Sequence, residues 1–246
     1  MVQMLTGLFG GGYEYEFYFD WTYIIVIIAL VLTLIASARV RMTFNKFAQV
    51  YSYRGMTGAQ VAESILRENG LYDIPVQHVS GNLTDHYDPS NRTLSLSDSV
   101  YGSSSISAIA VAAHECGHAI QHAKSYGPLN LRTKMVPIVS FASSISWILI
   151  FVGLVFGTGG AIVLNIGIFM FAAVVLFQFI TLPVEFNASN RALAILQGSN
   201  YLAPEEHAKA RKVLRAAAMT YVAGAASAVL QLLRILFISW RRRRGD

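Results

Sequence analysis

The chain has 246 residues, room for one or two domains, and 54% of them are apolar against 13% charged. With a mean hydropathy of +0.47, that balance excludes an ordinary soluble globular protein and points to a membrane protein. A single cysteine, Cys116, excludes an internal disulfide framework; the pI of about 9.4 could suggest nucleic acid, but the placement of the basic residues argues against that partner.

Residues 1–20 carry Glu14, Glu16 and Asp20 but no Lys or Arg, and are read as an extracytoplasmic segment. Residues 21–37, "WTYIIVIIALVLTLIAS", are read as the first transmembrane helix. Trp21 and Tyr23 mark one interface, and Arg39 and Arg41 the other. The basic flank follows the apolar run, which argues against a cleaved signal peptide. Residues 38–135 read as a small folded unit. Thr57 is a candidate N-cap for "TGAQVAESILRENG", which Gly70 stops. "IPVQHVS" predicts a strand, and "YDPSNRTLSLSD" a turn followed by an edge strand over 93–97. Serines 103 to 105 then offer N-caps for a helix over 106–123.

Residues 136–182 predict a transmembrane hairpin, with spans over 136–156 and 161–182 joined by "GTGG". Residues 183–215 read as cytoplasmic helices, with Pro183 able to kink or restart the chain. Glu205 and Glu206 fall in the first turn of a helix after Pro204. The final segment, 216–246, combines an apolar helix with Gln231, Arg234 and a terminal "RRRR". It is balanced between a fourth span and a helix lying in the interface, with the charge argument tilting modestly to the latter. Nine Lys or Arg lie in 38–135 and five in 184–215, so both polar segments are expected in the cytoplasm. A spanning last helix would put "RRRR" on the opposite side, and the tail reads instead as an anchor on anionic lipid.

The helix over 106–123 carries "VAAHECGHAIQH". Successive helical residues turn by about 100°, so His114 and His118 share a face and both can reach one ion. Glu115 is close enough to act as general base on a water at that ion, the chemistry of an HExxH zinc site. Cys116 points away and reads as a packed small residue. Gly117 lets another element, expected to be a strand, approach closely. His122 lies about 12 Å along the axis from His114 and cannot share its ion. Lys124 stands where a metzincin would have a third histidine, so the remaining ligand is sought among glutamates. Glu14 and Glu16 are on the wrong side, while Glu63, Glu68, Glu205 and Glu206 read as helix-surface or helix-start residues. That leaves Glu185 in "LPVEFNASNRALAI", which a hairpin of two spans would return to the motif. Ser189, one turn on, could hydrogen-bond a ligand histidine.

"AVAAHECGHAIQH", two spans and then "VEFNASNRA" resemble the bacterial integral-membrane neutral zinc metallopeptidase family, the YugP-like group. The single first span and "DHYDPSNRTLSLSD" extend the resemblance over nearly the whole chain. More distantly the chain is similar to membrane gluzincins of the HtpX and CAAX-protease type, which place an Asp where this sequence has Ser189. The resemblance implies Zn2+, the ligands His114, His118 and Glu185, and Glu115 as base.

The fold class expected is therefore a mainly α membrane protein. It has three transmembrane helices, or four if the last one crosses, and a small α+β zincin-like cytoplasmic catalytic part. The function expected is a zinc metalloendopeptidase of the bacterial inner membrane with a cytoplasmic active site. Its partners would be protein or peptide substrates, membrane proteins among them, and the lipid bilayer. Tyr221 and Arg234 are candidate donors to the tetrahedral oxyanion, and the strand over 93–97 is a candidate edge for an extended peptide. The competing class is a non-catalytic membrane scaffold whose metal only staples helices.

Overall fold

In lipid an apolar segment satisfies its own backbone polarity by becoming a helix, and the computed structural model, which describes residues 20–244, is built mainly of helices. In chain order the elements are α1 (Tyr23–Ala48), α2 (Gly58–Glu68), β1 (Val76–Val79), β2 (His86–Asp88), β3 (Thr93–Ser97), α3 (Asp98–Tyr101), α4 (Ile106–Ala123), α5 (Gly127–Val155), α6 (Ala161–Gly198) and α7 (His207–Arg244). A short 3₁₀ turn, Gly157–Gly160, joins α5 to α6. Except for Asp20, the segment 1–20 lies outside the described residues, and with it Glu14 and Glu16.

Four helices, α1, α5, α6 and α7, are long and apolar enough to cross a membrane. Ile27, Leu34, Ile138, Phe151 and Phe169 stand exposed on them, without the polar face that water would require. Several expected boundaries change: α1 continues to Ala48, beyond the expected 37, and α7 already begins at His207 rather than at 216. Helix α5 begins at Gly127, with a proline in its first turn, rather than near 136. Helix α6 runs unbroken through Pro183, which does not restart it. A proline removes one helix hydrogen bond, and transmembrane helices tolerate this where neighbouring groups satisfy the freed carbonyl.

The last helix, too, is long and apolar enough to be a fourth span. Residues 207–242 meet the requirement with a mean hydropathy of 1.8 over their most apolar stretch, and α7 packs along α1 and α6. Two of its arginines, Arg234 and Arg242, are met by protein groups. The Arg234 guanidinium donates to Thr22 Oγ1 at 3.2 Å and lies over the Tyr23 ring. Arg242 donates to the carbonyls of Gly153 and Leu154 at 2.9 and 2.8 Å, acceptors that the end of α5 leaves without a helical partner. There the two hairpin helices nearly touch: a Cβ on Gly153 would lie 2.5 Å from the Leu164 nitrogen.

The part outside the spans is held by a core of Val61, Ile65, Leu94, Leu96, Ile106 and Ile109, which continues into Leu196 of α6 and Leu214 of α7. Thr57 caps α2 in a reciprocal box with Gln60, and Ser105 Oγ accepts from Ala108 N to start α4. The sheet order is β1-β3-β2, with β1 parallel and β2 antiparallel to β3. The strand expected at the edge, Thr93–Ser97, is therefore central. Both its sides are paired, so no peptide can add to it. The short strand β2, hidden in what reads as a turn, takes that edge. Glu206 does more than favour a helix start: its carboxylate accepts from Tyr53 N and Ala203 N at 3.0 and 2.8 Å, tying the loop after α1 to the loop before α7.

Candidate active site

Helices α4 and α6 meet at Gly117. A Cβ there would stand 2.7 Å from the Ala188 carbonyl oxygen, so only glycine permits this approach. The close partner is thus a helix, not the strand expected. The approach sets Glu185, almost fully buried, opposite His114 and His118. Glu185 Oε2 lies 3.4 Å from His114 Nε2 and 3.6 Å from His118 Nε2.

Those separations are too long for hydrogen bonds, and Glu185 Oε2 has no hydrogen-bond partner despite its burial. They do match the edge of a tetrahedron of ligands around zinc, about 3.4 Å for bonds of about 2.0–2.1 Å. One ligand atom from each of the three residues lies within 4.8 Å of the others. Two imidazoles and a carboxylate are a donor set that suits zinc. The residues fit the ion.

The outer atoms of the three candidate ligands are held as well. The Nδ1 of His114 lies 3.2 Å from Ser189 Oγ, and that of His118 lies 3.0 Å from Gln121 Oε1. With Nε2 reserved for a metal, each Nδ1–H donates outward and fixes its ring. Gln121, fully buried, spends its amide hydrogens on the Val184 carbonyl and Asn187 Oδ1, at 2.8 and 3.0 Å. It thereby ties the His118 ring to the backbone beside Glu185. Arg132 Nη1 lies 3.3 Å from the other carboxylate oxygen, Glu185 Oε1. Burial alone would strip the His118 ring of its proton. The carboxylates of Glu185 and Glu115, with Gln121, outweigh it and raise the pKa.

The three residues line a cavity of about 470 Å³. Glu115 faces into it, with Oε2 held by the Tyr87 backbone N–H at 3.0 Å. Its walls come from β2 and the preceding residue Asp85 on one side. On the other they come from Leu129, Val136 and Pro137 of α5, so the cleft opens beside the apolar belt.

Residues 22–240 match a family described as "Putative neutral zinc metallopeptidase". The chain belongs to this family. It is 49% identical over 203 residues, 82% of its own length and 89% of the relative's, to the "Putative membrane protease YugP" of Bacillus subtilis (strain 168). No solved structure matches the chain. The matched region of this zinc metallopeptidase family member takes in α1, α5 and α6, most of α7 and the three metal-binding candidates.

The sequence-derived candidates separate clearly. His114, Glu115, His118, Glu185 and Tyr221 line one cleft. Arg234 is not brought there. It sits 13 residues beyond Tyr221 on the same helix, about 20 Å along its axis, at the Thr22 end of the bundle. Cys116 is buried on the far face of α4, its thiol directed to the Ala62 carbonyl at 3.6 Å, and burial pushes its pKa well up. His122 accepts or donates a 2.8 Å bond with the Tyr87 hydroxyl, a structural contact outside the metal group. Three contributors were missed. Gln121 had a signal, since it lies one turn after His118. Arg132 and the Tyr87 N–H had none, because tertiary packing alone brings them in.

Proposed function

We propose that the protein is a membrane-embedded zinc endopeptidase of the gluzincin type, with a zincin-like catalytic part at the cytoplasmic face of the bacterial inner membrane. The observation that carries this reading is Glu115, facing an open cleft beside a three-donor set that lacks a fourth protein ligand among the described residues. His114, His118 and Glu185 would hold the ion. When bound, zinc would polarise the scissile carbonyl and lower the pKa of a water beside it to about 7.

The chain's own groups do the rest. Glu115 takes the proton of the attacking water on Oε1, while the Tyr87 N–H holds Oε2, and passes it to the leaving amine. Tyr221 is the donor to the oxyanion. Arg132 and Gln121 orient the ligands. The α5 wall of the cleft favours membrane proteins or membrane-proximal segments as substrates. The edge of β2, rather than that of β3, offers backbone to an extended chain.

A metal that merely staples helices would need a closed ligand set, and Cys116, the one thiol available to close it, faces away. The decisive comparison is Glu115→Gln against Glu185→Ala in purified full-length protein. Glu115→Gln should keep zinc and lose about 10²-fold or more of peptide cleavage, and Glu185→Ala should lose zinc. Full cleavage by Glu115→Gln would refute the mechanism.

A further inference from the structure

We infer that the groove between α6 and α7, behind the metal-binding residues, is a binding site for an anionic phospholipid of the surrounding leaflet. The groove has a volume of about 400 Å³, within the range of about 300–1,000 Å³ usual for small-molecule sites. Phe186, Leu193, Leu214 and Ala218 give it apolar lining, and Arg211 and Arg215 line it as well. No acid lines it. Neither arginine meets a carboxylate among the described residues.

The two arginines are four residues apart, hence on one face of α7, and two neighbouring guanidiniums present donors suited to one phosphate. Position supplies the acyl half of the argument. Met219, one turn past Arg215, and Phe186, one turn before Asn190, are exposed apolar residues continuous with the lipid-facing surfaces of their helices. The groove therefore straddles the level at which the apolar belt gives way to basic surface, where a headgroup sits and its chains turn inward. It also borders the metal-binding residues, because Ser189 both lines the groove and contacts His114 Nδ1. The inference does not depend on the proteolytic reading, since it concerns binding alone.

Native mass spectrometry of the full-length protein in neutral detergent tests it, with phosphatidylglycerol, phosphatidylcholine and inorganic phosphate as separate probes. Phosphatidylglycerol should be retained in preference to phosphatidylcholine. R211Q/R215Q should weaken its binding about thirtyfold at low salt, each cation near an anionic surface counting for about fivefold. Ala194→Trp, at an exposed position on the groove wall, should block binding without touching charge. R241Q/R244Q, at the opposite end of the bundle, should leave it unchanged. Equal retention of both lipids, undiminished binding in R211Q/R215Q and Ala194→Trp, equal loss in R241Q/R244Q, or phosphate binding as tightly as the lipid would each overturn the inference.

Discussion

Metal-binding side chains do not hold their geometry unaided, and here the outer contacts are made by residues that the spacing of the HExxH motif does not name. Gln121 is the strongest case. Its carbonyl oxygen accepts from His118 and its amide reaches the Val184 carbonyl, so one buried side chain couples α4 to the turn that carries Glu185. Outer partners of this kind are worth about 10–100-fold in metal affinity. Gln121→Ala should therefore weaken zinc binding by that factor in competition with a chelator, with α4 still helical by circular dichroism. Unchanged affinity would remove Gln121 from the site. Ser189 holds the equivalent place on His114, with a shorter and uncharged side chain where an aspartate would make a stronger acceptor. Ser189→Asp should tighten zinc binding if that contact is limiting, and a looser site would show that the pocket has no room for the carboxylate.

At the scale of elements, the two histidines and the glutamate lie on different helices, and their distance is set by how closely those helices pack. Gly117 sets it. A valine there would drive its Cβ against the Ala188 carbonyl oxygen, 2.7 Å away, with backbone on both sides and no flexible side chain to yield. Overpacking of this kind costs about 1–3 kcal/mol. Gly117→Val should thus lower thermal stability and zinc affinity together. Loss of stability with zinc affinity intact would mean that the ligand spacing is set elsewhere. This level also shows what the sequence could disclose. Local rules marked the Thr57 and Ser105 caps, the α4 boundaries and the strand 93–97, because each depends on neighbours within four residues. They missed β2, whose three residues become a strand only through pairing with β3 and through the Tyr87 bond to Glu115. They also broke α6 at Pro183, where the surroundings override the local preference. The placing of Glu185 beside His114 and His118 was legible from chemistry and chain order. Arg132 was not, since nothing in its own stretch points across to α6.

For the whole molecule, the question is which way the bundle faces. The segments 38–135 and 184–215 carry nine and five Lys or Arg, against five at the far end of α7. If loop charge decides, the metal-binding end is cytoplasmic. The far-end arginines oppose that less than their number suggests, because Arg234 and Arg242 are engaged by Thr22, Tyr23 and the carbonyls ending α5. The lone thiol makes the orientation measurable in the otherwise native protein. Cys116 is fully buried, and burial holds it protonated, so it should stay silent toward a membrane-impermeant maleimide. New cysteines then report alone. Gly159 lies in the turn between α5 and α6 with open space around its Cβ direction, and Asn82 is exposed between β1 and β2. Gly159→Cys should label in intact cells, and Asn82→Cys only after permeabilisation. The reverse pattern would turn the active-site cleft outward. The charge asymmetry would then be a property of the folded part rather than of its topology, and the search for substrates would move to the other side of the membrane.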